Sequence, residues 1–77
     1  MKREKLKQLE MALTEHKPLI ADLGENQKYL LEWNDTYQNY VGTSLQTNIE
    51  IGIWLIEMLL DIANGKINNC SLEVAYE

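Results

Sequence analysis

The sequence is poor in the residues from which most small reactive sites are built. Its 77 residues include one cysteine, one histidine and one proline, and no phenylalanine. A single cysteine excludes an internal disulfide framework and a zinc site built from several cysteines. Basic residues are also scarce, because seven Lys and Arg face twelve Asp and Glu and leave a net charge of −5. That balance disfavours a nucleic-acid-binding protein, whose binding face is normally basic.

The sequence also lacks a long uninterrupted apolar run. The longest apolar stretch, residues 49–63, contains Glu50, Glu57 and Asp61, and it is shorter than the roughly 20 apolar residues of a membrane-spanning helix. The first residues continue into a charged helical pattern and not into the apolar core of a secretory signal. We therefore expect a soluble, cytoplasmic protein without membrane contact, folded as one small domain over residues 1–77.

Apolar residues are plentiful at 45 % of the chain, which is too many for a disordered acidic segment. Leu6, Leu9 and Leu13 are spaced by three and four positions, and this spacing predicts an amphipathic helix over residues 3–16. Pro18 disfavours helical backbone in the residue before it and so predicts a break at that point. Because the apolar spacing continues beyond the proline, one kinked helix is the alternative.

Four aromatic side chains in the next segment share about 80° of arc on a helical wheel. Their spacing predicts a second helix that begins at residue 18 or 25 and ends at residue 41. Tyrosine and tryptophan frequently anchor protein–protein contacts. If exposed, these rings and an acidic neighbour form a partner-binding surface that comprises Tyr29, Glu32, Trp33, Tyr37 and Tyr40. The alternative is that the rings form the core of a small bundle.

The third segment is the most apolar part of the chain, since ten of the fourteen positions from 49 to 62 are Ile, Leu, Met or Trp. We predict a third helix over residues 44–63 that is apolar nearly all round and must be covered on most sides. A homodimer would supply that cover through an interface of Gly52, Leu55, Ile56 and Leu59. The tail, residues 66–77, alternates apolar and polar residues as a strand does. The predicted fold is therefore an all-α bundle of three or four helices, homodimeric, with a short extended C-terminal tail.

Groups able to carry catalysis are few and scattered. His16 and Cys70 are the only pairing of a base with a nucleophile. Glu57 and Asp61 lie one helical turn apart, but no further acid or histidine follows at a spacing that would complete a site. No glycine-rich phosphate loop or metal motif is present. We predict no catalytic residue, no bound metal and no cofactor, and hence a protein that is not an enzyme.

The segment after the third predicted helix resembles the stretch that follows the recognition helix in Xre-type helix-turn-helix repressors. The residues that carry the resemblance are Ile62-Ala63-Asn64-Gly65-Lys66, Asn68 and Ser71-Leu72-Glu73. The resemblance implies a DNA-binding regulator. Residues 54–60, at the place of the recognition helix, are apolar and acidic, a composition unsuited to reading the major groove.

The charge is distributed unevenly along the chain. Residues 1–17 hold five basic and three acidic side chains, a charge of +2, whereas residues 18–77 hold two basic and nine acidic side chains, a charge of −7. An acidic body favours a partner with a basic groove. We expect an inhibitor or adaptor of the phage or mobile-element type that occludes a partner protein. A homodimeric structural or assembly subunit is the first alternative, and an Xre-like regulator is the second.

Overall fold

The computed structural model describes residues 3–75, which form a five-stranded antiparallel sheet and two helices. In chain order the elements are α1 (Arg3–Thr14), β1 (Leu19–Asp22), β2 (Lys28–Asn34), β3 (Asn39–Ser44), β4 (Glu50–Trp54), α2 (Ile56–Ala63) and β5 (Ser71–Val74). The strand order is β4-β3-β2-β1-β5. Strands β1 to β4 thus form a meander, and β5 returns to pair with β1. Neither helix in the described part of the chain has the length and hydropathy needed to cross a membrane.

The all-α bundle predicted from the sequence is therefore wrong, and so is its description as a helical bundle. The second predicted helix, up to residue 41, is occupied by β2, a turn and the first half of β3. Of the third predicted helix, residues 44–63, only the part from Ile56 is helical, and β4 precedes it. The first predicted helix, residues 3–16, overlaps α1 and extends two residues beyond its end at Thr14. The alternating tail contains β5, and its residues 76 and 77 lie outside the described residues.

The turn between β2 and β3 shows why the second segment is not a helix. Asn34 accepts a hydrogen bond through its Oδ1 from the backbone N–H of Tyr37, at 3.1 Å. Gln38 adopts a positive φ of 54°, a conformation typical of tight turns. In the strands on either side, aromatic and β-branched side chains favour extended backbone. The chain therefore reverses direction here, and Trp33 lies opposite Tyr40 in the sheet.

The chain also breaks cleanly between α1 and β1. The backbone N–H of Lys17 donates to the carbonyl of Ala12 at 2.9 Å, and His16 takes a left-handed conformation with φ 57°. Such a residue ends a helix because the chain can no longer continue the helical hydrogen bonds. Of the two alternatives at Pro18, the structure contains the break and not the kinked helix.

Both helices pack on the same face of the sheet and enclose the core between them. The register brings Leu19 opposite Leu31 on one side and Val74 on the other, and Ala21 opposite Leu72. Side chains opposite each other in adjacent strands point to the same face. The buried core comprises Leu9, Ala12, Leu13, Leu19, Ala21, Leu31, Tyr40, Trp54, Leu59, Ile62, Ala63 and Leu72. The fold is thus a two-layer arrangement with one covered and one uncovered sheet face.

Tyr40 ties the sheet to the segment that follows α1. Its ring is fully buried, and its hydroxyl donates to the carbonyl of Lys17 at 2.7 Å. The carbonyl of Ala12 lies 3.5 Å from the same hydroxyl. Burial raises the pKa of the Tyr40 phenol from 10.0 to about 12, because the phenolate would lose its hydration. The hydroxyl therefore stays protonated as a hydrogen-bond donor at every physiological pH.

This raised pKa predicts a loss of stability at alkaline pH. In the unfolded chain Tyr40 ionises near its ordinary pKa of about 10, whereas in the folded chain it ionises near 12. The stabilising contribution is complete below the unfolded pKa. It falls by about 1.4 kcal/mol per pH unit as the pH rises from about 10 to about 12. Urea unfolding across this range should show that slope.

The matched variants for this measurement are Tyr40→Phe and Tyr37→Phe. Tyr40→Phe removes the ionising group from the core, so its stability should fall less steeply with pH. Tyr37 is an exposed turn residue, and Tyr37→Phe should retain the slope of the unmodified protein. Equal slopes in the Tyr40→Phe variant and the unmodified protein would contradict the assignment.

Candidate functional site

The sheet face opposite the helices is the largest functional candidate that the fold creates. Since side chains alternate between the two faces of a strand, every second residue of each strand points away from the helices. We call this surface the open face. Its apolar residues are Ile20, Leu30, Val41 and Ile53, and its polar residues are Asp22, Lys28, Glu32, Asn34, Asn39, Thr43, Glu50, Ser71 and Glu73.

The open face combines apolar side chains with carboxylates. One row crosses the sheet from Glu73 through Ile20 and Leu30, and a second row crosses from Glu32, on the central strand, through Val41 to Ile53. The exposed fraction rises from 8 % at Val41 to 50 % at Ile53. A surface that mixes apolar and polar side chains is typical of protein interfaces.

The open face is acidic. It carries four carboxylates and the single ammonium group of Lys28. The other side of the sheet has mixed charge, because Lys5 and Lys7 are exposed on α1 whereas Glu57 and Asp61 are exposed on α2. The acidic residues of the −7 segment therefore lie on both sides of the sheet.

The four aromatic side chains of the predicted partner-binding surface do not lie together on one exposed surface. Trp33 stacks on His16 with ring centroids 3.5 Å apart and meets Tyr40 edge-on at 5.5 Å. Tyr29 contacts Trp54 at 5.5 Å. These rings lie on the helix-covered face, where Tyr40 and Trp54 are buried and Tyr29 and Trp33 are half-buried.

The other two residues of the predicted partner surface lie elsewhere. Tyr37 is exposed in the turn between β2 and β3, and Glu32 is exposed on the open face between two strands. The structure thus places the five residues at three locations. Only Glu32 belongs to the apolar and acidic surface described above.

The four residues predicted for a dimer interface are also separated. Gly52 is an exposed residue of β4, and Leu55, immediately after that strand, is 53 % exposed. Ile56 begins α2 and packs at the margin of the core, and Leu59 is fully buried within it. Two of the four are therefore accessible along the outer edge of the sheet.

The chemically reactive residues remain apart in the structure. The ring of His16 is held against Trp33, and Cys70 is a half-buried free thiol. Glu57 and Asp61 are exposed on α2, where Asp61 lies 3.9 Å from the ammonium group of Lys66. Within residues 3–75, no group of three or more His, Cys, Asp or Glu side chains is arranged to hold a metal ion.

The segment that resembles Xre-type repressors spans a helix end and a strand. Asn64 caps α2, and its side-chain amide donates to the carbonyl of Leu60 at 2.8 Å. Gly65 follows with φ 74°, and the last part of the segment is β5. Because four strands separate α1 from α2, the described helices do not form a helix-turn-helix unit.

Sequence reasoning missed the apolar residues of the open face. Helical spacing predicts Leu30 and Val41 within the second helix and Ile20 in the apolar spacing that continues beyond Pro18. The signal that was available is the alternation of Ile49, Ile51 and Ile53 with other residues, a period of two that favours a strand. Comparison with known protein families, with curated proteins and with solved structures found no match.

Proposed function

We propose that this protein is a protein–protein interaction module that acts as an inhibitor or adaptor by covering a basic surface of a partner with its open face. The supporting observation is that the apolar side chains of Ile20, Leu30 and Val41 share the open face with the carboxylates of Glu32 and Glu73. A partner that fits this surface presents apolar side chains together with lysine or arginine side chains. Its charges would pair with Glu32 and Glu73.

The shape of the open face supports occlusion as the mode of action. Both helices lie behind the sheet, so the open face presents the outward side chains of all five strands as one broad surface. Binding over a broad surface blocks whatever the partner binds there. No covalent step is required of the partner or of this chain.

The carboxylates of the open face support binding to a basic partner. A basic partner is attracted to this acidic face before contact is made. Such steering raises the association rate and weakens as salt is added, since the Debye length is about 8 Å at physiological ionic strength.

Charge reversal on the open face should therefore abolish partner capture. We expect the double variant Glu32→Lys, Glu73→Lys to lower the association rate with its partner by about tenfold or more at low salt. The control is Glu10→Lys, Glu15→Lys on the helical side, which makes the same change in net charge. Pull-down after nuclease treatment would measure partner capture by the two variants. Kinetic binding measurements on the purified partner would then give the association rate of each variant.

Contact itself can be mapped with a photo-crosslinking side chain at position 32 or at position 10. The proposal expects the captured protein to cross-link from position 32 and not from position 10. Equal capture by both charge-reversed variants, or cross-linking from position 10 alone, would show that the open face is not the binding surface. Loss of capture on nuclease treatment would instead indicate a nucleic-acid ligand.

A further inference from the structure

Strand β4 leaves one edge of the sheet without a neighbour among residues 3–75. It is the first strand in the order β4-β3-β2-β1-β5 and makes its extensive contacts with β3. Four apolar side chains along it are about half exposed: Ile49 at 62 %, Ile51 at 47 %, Ile53 at 50 % and Leu55 at 53 %. We call residues 49–55 the β4 edge. An exposed apolar edge strand offers its free backbone N–H and C=O groups to another strand.

Lysine and proline, two residue types that discourage edge pairing, are absent from residues 49–55, where the one charged side chain is Glu50. The opposite edge, β5, is better protected: it is only four residues long, it carries the exposed Glu73 and both helices contact it. Edge pairing is therefore favoured at β4 and disfavoured at β5.

Gly52 lies at the middle of this edge. A Cβ atom built on Gly52 has no heavy atom within 4 Å. Its φ of +131° suits glycine and no other residue. The register shift at this point, where Ile51 is the additional residue of β4, marks a β-bulge, so the ladder is locally irregular here.

Charge identifies the partner for this edge as a second copy of the chain. Residues 36–56, which contain β3 and β4, carry a single charged side chain, Glu50, in a chain of net charge −5. A basic partner finds little to bind here, whereas two copies can meet at this edge with little mutual repulsion. An antiparallel strand pair related by a two-fold axis is also self-complementary, since each strand supplies the groups that the other lacks.

We propose that the β4 edge pairs with the β4 edge of a second copy, antiparallel, so that two five-stranded sheets join into one continuous sheet. A standard interface removes about 800 Å² from each partner, roughly one seventh of the accessible surface of 5406 Å². The half-exposed side chains of Ile49, Ile51, Ile53 and Leu55 supply the apolar part of that area. The open faces of the two copies then lie side by side.

Sedimentation velocity over a concentration series tests this assembly. We expect the unmodified protein to dimerise reversibly, and Ile51→Lys to raise the dimer dissociation constant about a hundredfold. The matched control is Ile67→Lys, which makes the same replacement at an exposed isoleucine away from this edge. Both variants have a net charge of −4, so a difference between them cannot come from overall repulsion.

Two further measurements keep the proposal falsifiable. Ile49→Lys should dissociate the dimer in the same way, in case Ile51→Lys affects folding, and circular dichroism reports that folding is retained. Hydrogen exchange at residues 50–54 should slow as the protein concentration rises. A monomer at millimolar concentration, or a dimer that survives both β4 variants, would overturn the proposal.

The dimer and the proposed function can fail separately. The double variant Glu32→Lys, Glu73→Lys replaces two carboxylates of the open face and should leave the dimer intact. If that variant loses partner capture while remaining dimeric, both proposals stand. If Ile51→Lys is monomeric and still captures the partner, the dimer is not required for binding by the open face.

Discussion

Replacing Tyr40 with alanine should remove a large fraction of the protein's stability. The ring of Tyr40 is fully buried among core residues, and Trp33 meets it edge-on at 5.5 Å. Removing a buried aromatic ring costs about 3–5 kcal/mol. A domain of this size has only about 4–12 kcal/mol of stability, at roughly 0.05–0.15 kcal/mol per residue. Far-ultraviolet circular dichroism and urea unfolding would measure the loss.

The conservative variant Tyr40→Phe separates the hydroxyl from the ring. It leaves the carbonyl of Lys17 without its 2.7 Å donor, and an unsatisfied buried group costs about 1–3 kcal/mol. We therefore expect Tyr40→Phe to be folded but clearly less stable than the unmodified protein. If Tyr40→Phe and Tyr40→Ala lost similar amounts of stability, the ring would contribute less than its burial indicates.

Adding a single methyl group at Gly42 should be almost as damaging as removing a ring. A Cβ atom at position 42 would overlap Nε1 of Trp54 and lie 2.9 Å from Cδ1 of the same ring. The indole cannot move aside freely, because it is buried and contacts Tyr29. Overpacking of this kind costs about 1–3 kcal/mol. We expect Gly42→Ala to lie at the upper end of that range and Gly42→Val to exceed it, as measured by urea unfolding.

A double-mutant cycle tests whether the clash with Trp54 is the cause. In a Trp54→Leu background the ring is absent, so Gly42→Ala should cost far less than in the unmodified protein. Thr43→Ala, one position along β3 on the open face, is the control for a general effect of substitution in this strand and should cost little. An equal cost of Gly42→Ala in both backgrounds would show that the indole is not responsible.

Local signals in the sequence were sufficient to locate the first helix and the C-terminal end of the second. Leu6, Leu9 and Leu13 alternate with charged residues in a pattern that has no β-strand counterpart, and α1 lies where they predict it. Asn64 and Gly65 are residue types that end helices, and α2 ends at Ala63. These features depend on the backbone preferences of a few neighbouring residues, so no knowledge of the tertiary fold is needed.

The two central segments failed because their spacing fits two structures. Tyr29, Trp33 and Tyr37 are four apart, which suits a helix, but any two residues an even number apart also share a strand face. Trp33 and Tyr40 are seven apart, and they lie opposite each other only because the chain reverses at the turn between them. The polar residues from Asn34 to Asn39 are the sequence signal that distinguishes the two structures, because they favour a turn.

The third segment shows a different limit. A continuous apolar run does not distinguish a buried strand from a buried helix by periodicity alone, and residues 49–62 contain one of each. The isoleucines at 49, 51 and 53 are β-branched and favour a strand, whereas Met58, Leu59 and Leu60 favour a helix. The change from one to the other at Leu55 has no signal as clear as a proline.

The sequence predicts the chemical composition of the candidate surfaces but not which residues form them. An acidic body and an excess of apolar side chains both follow from the composition. Which apolar residues stay exposed depends on strand order, since Ile53 is accessible because β4 is the outermost strand. That order is a property of the whole chain and cannot be derived from any single segment.

The strand order also implies a sequence of events in folding. Across the first two hairpins the paired residues are close in the chain: Asp22 opposes Lys28, and Asn34 opposes Asn39. Leu19, in contrast, opposes Val74, which is 55 positions away. Contacts between near neighbours close small loops quickly, whereas distant ones pay a larger entropic cost and form late. The meander should therefore form first, and the docking of β5 beside β1 should be the late step that closes the core.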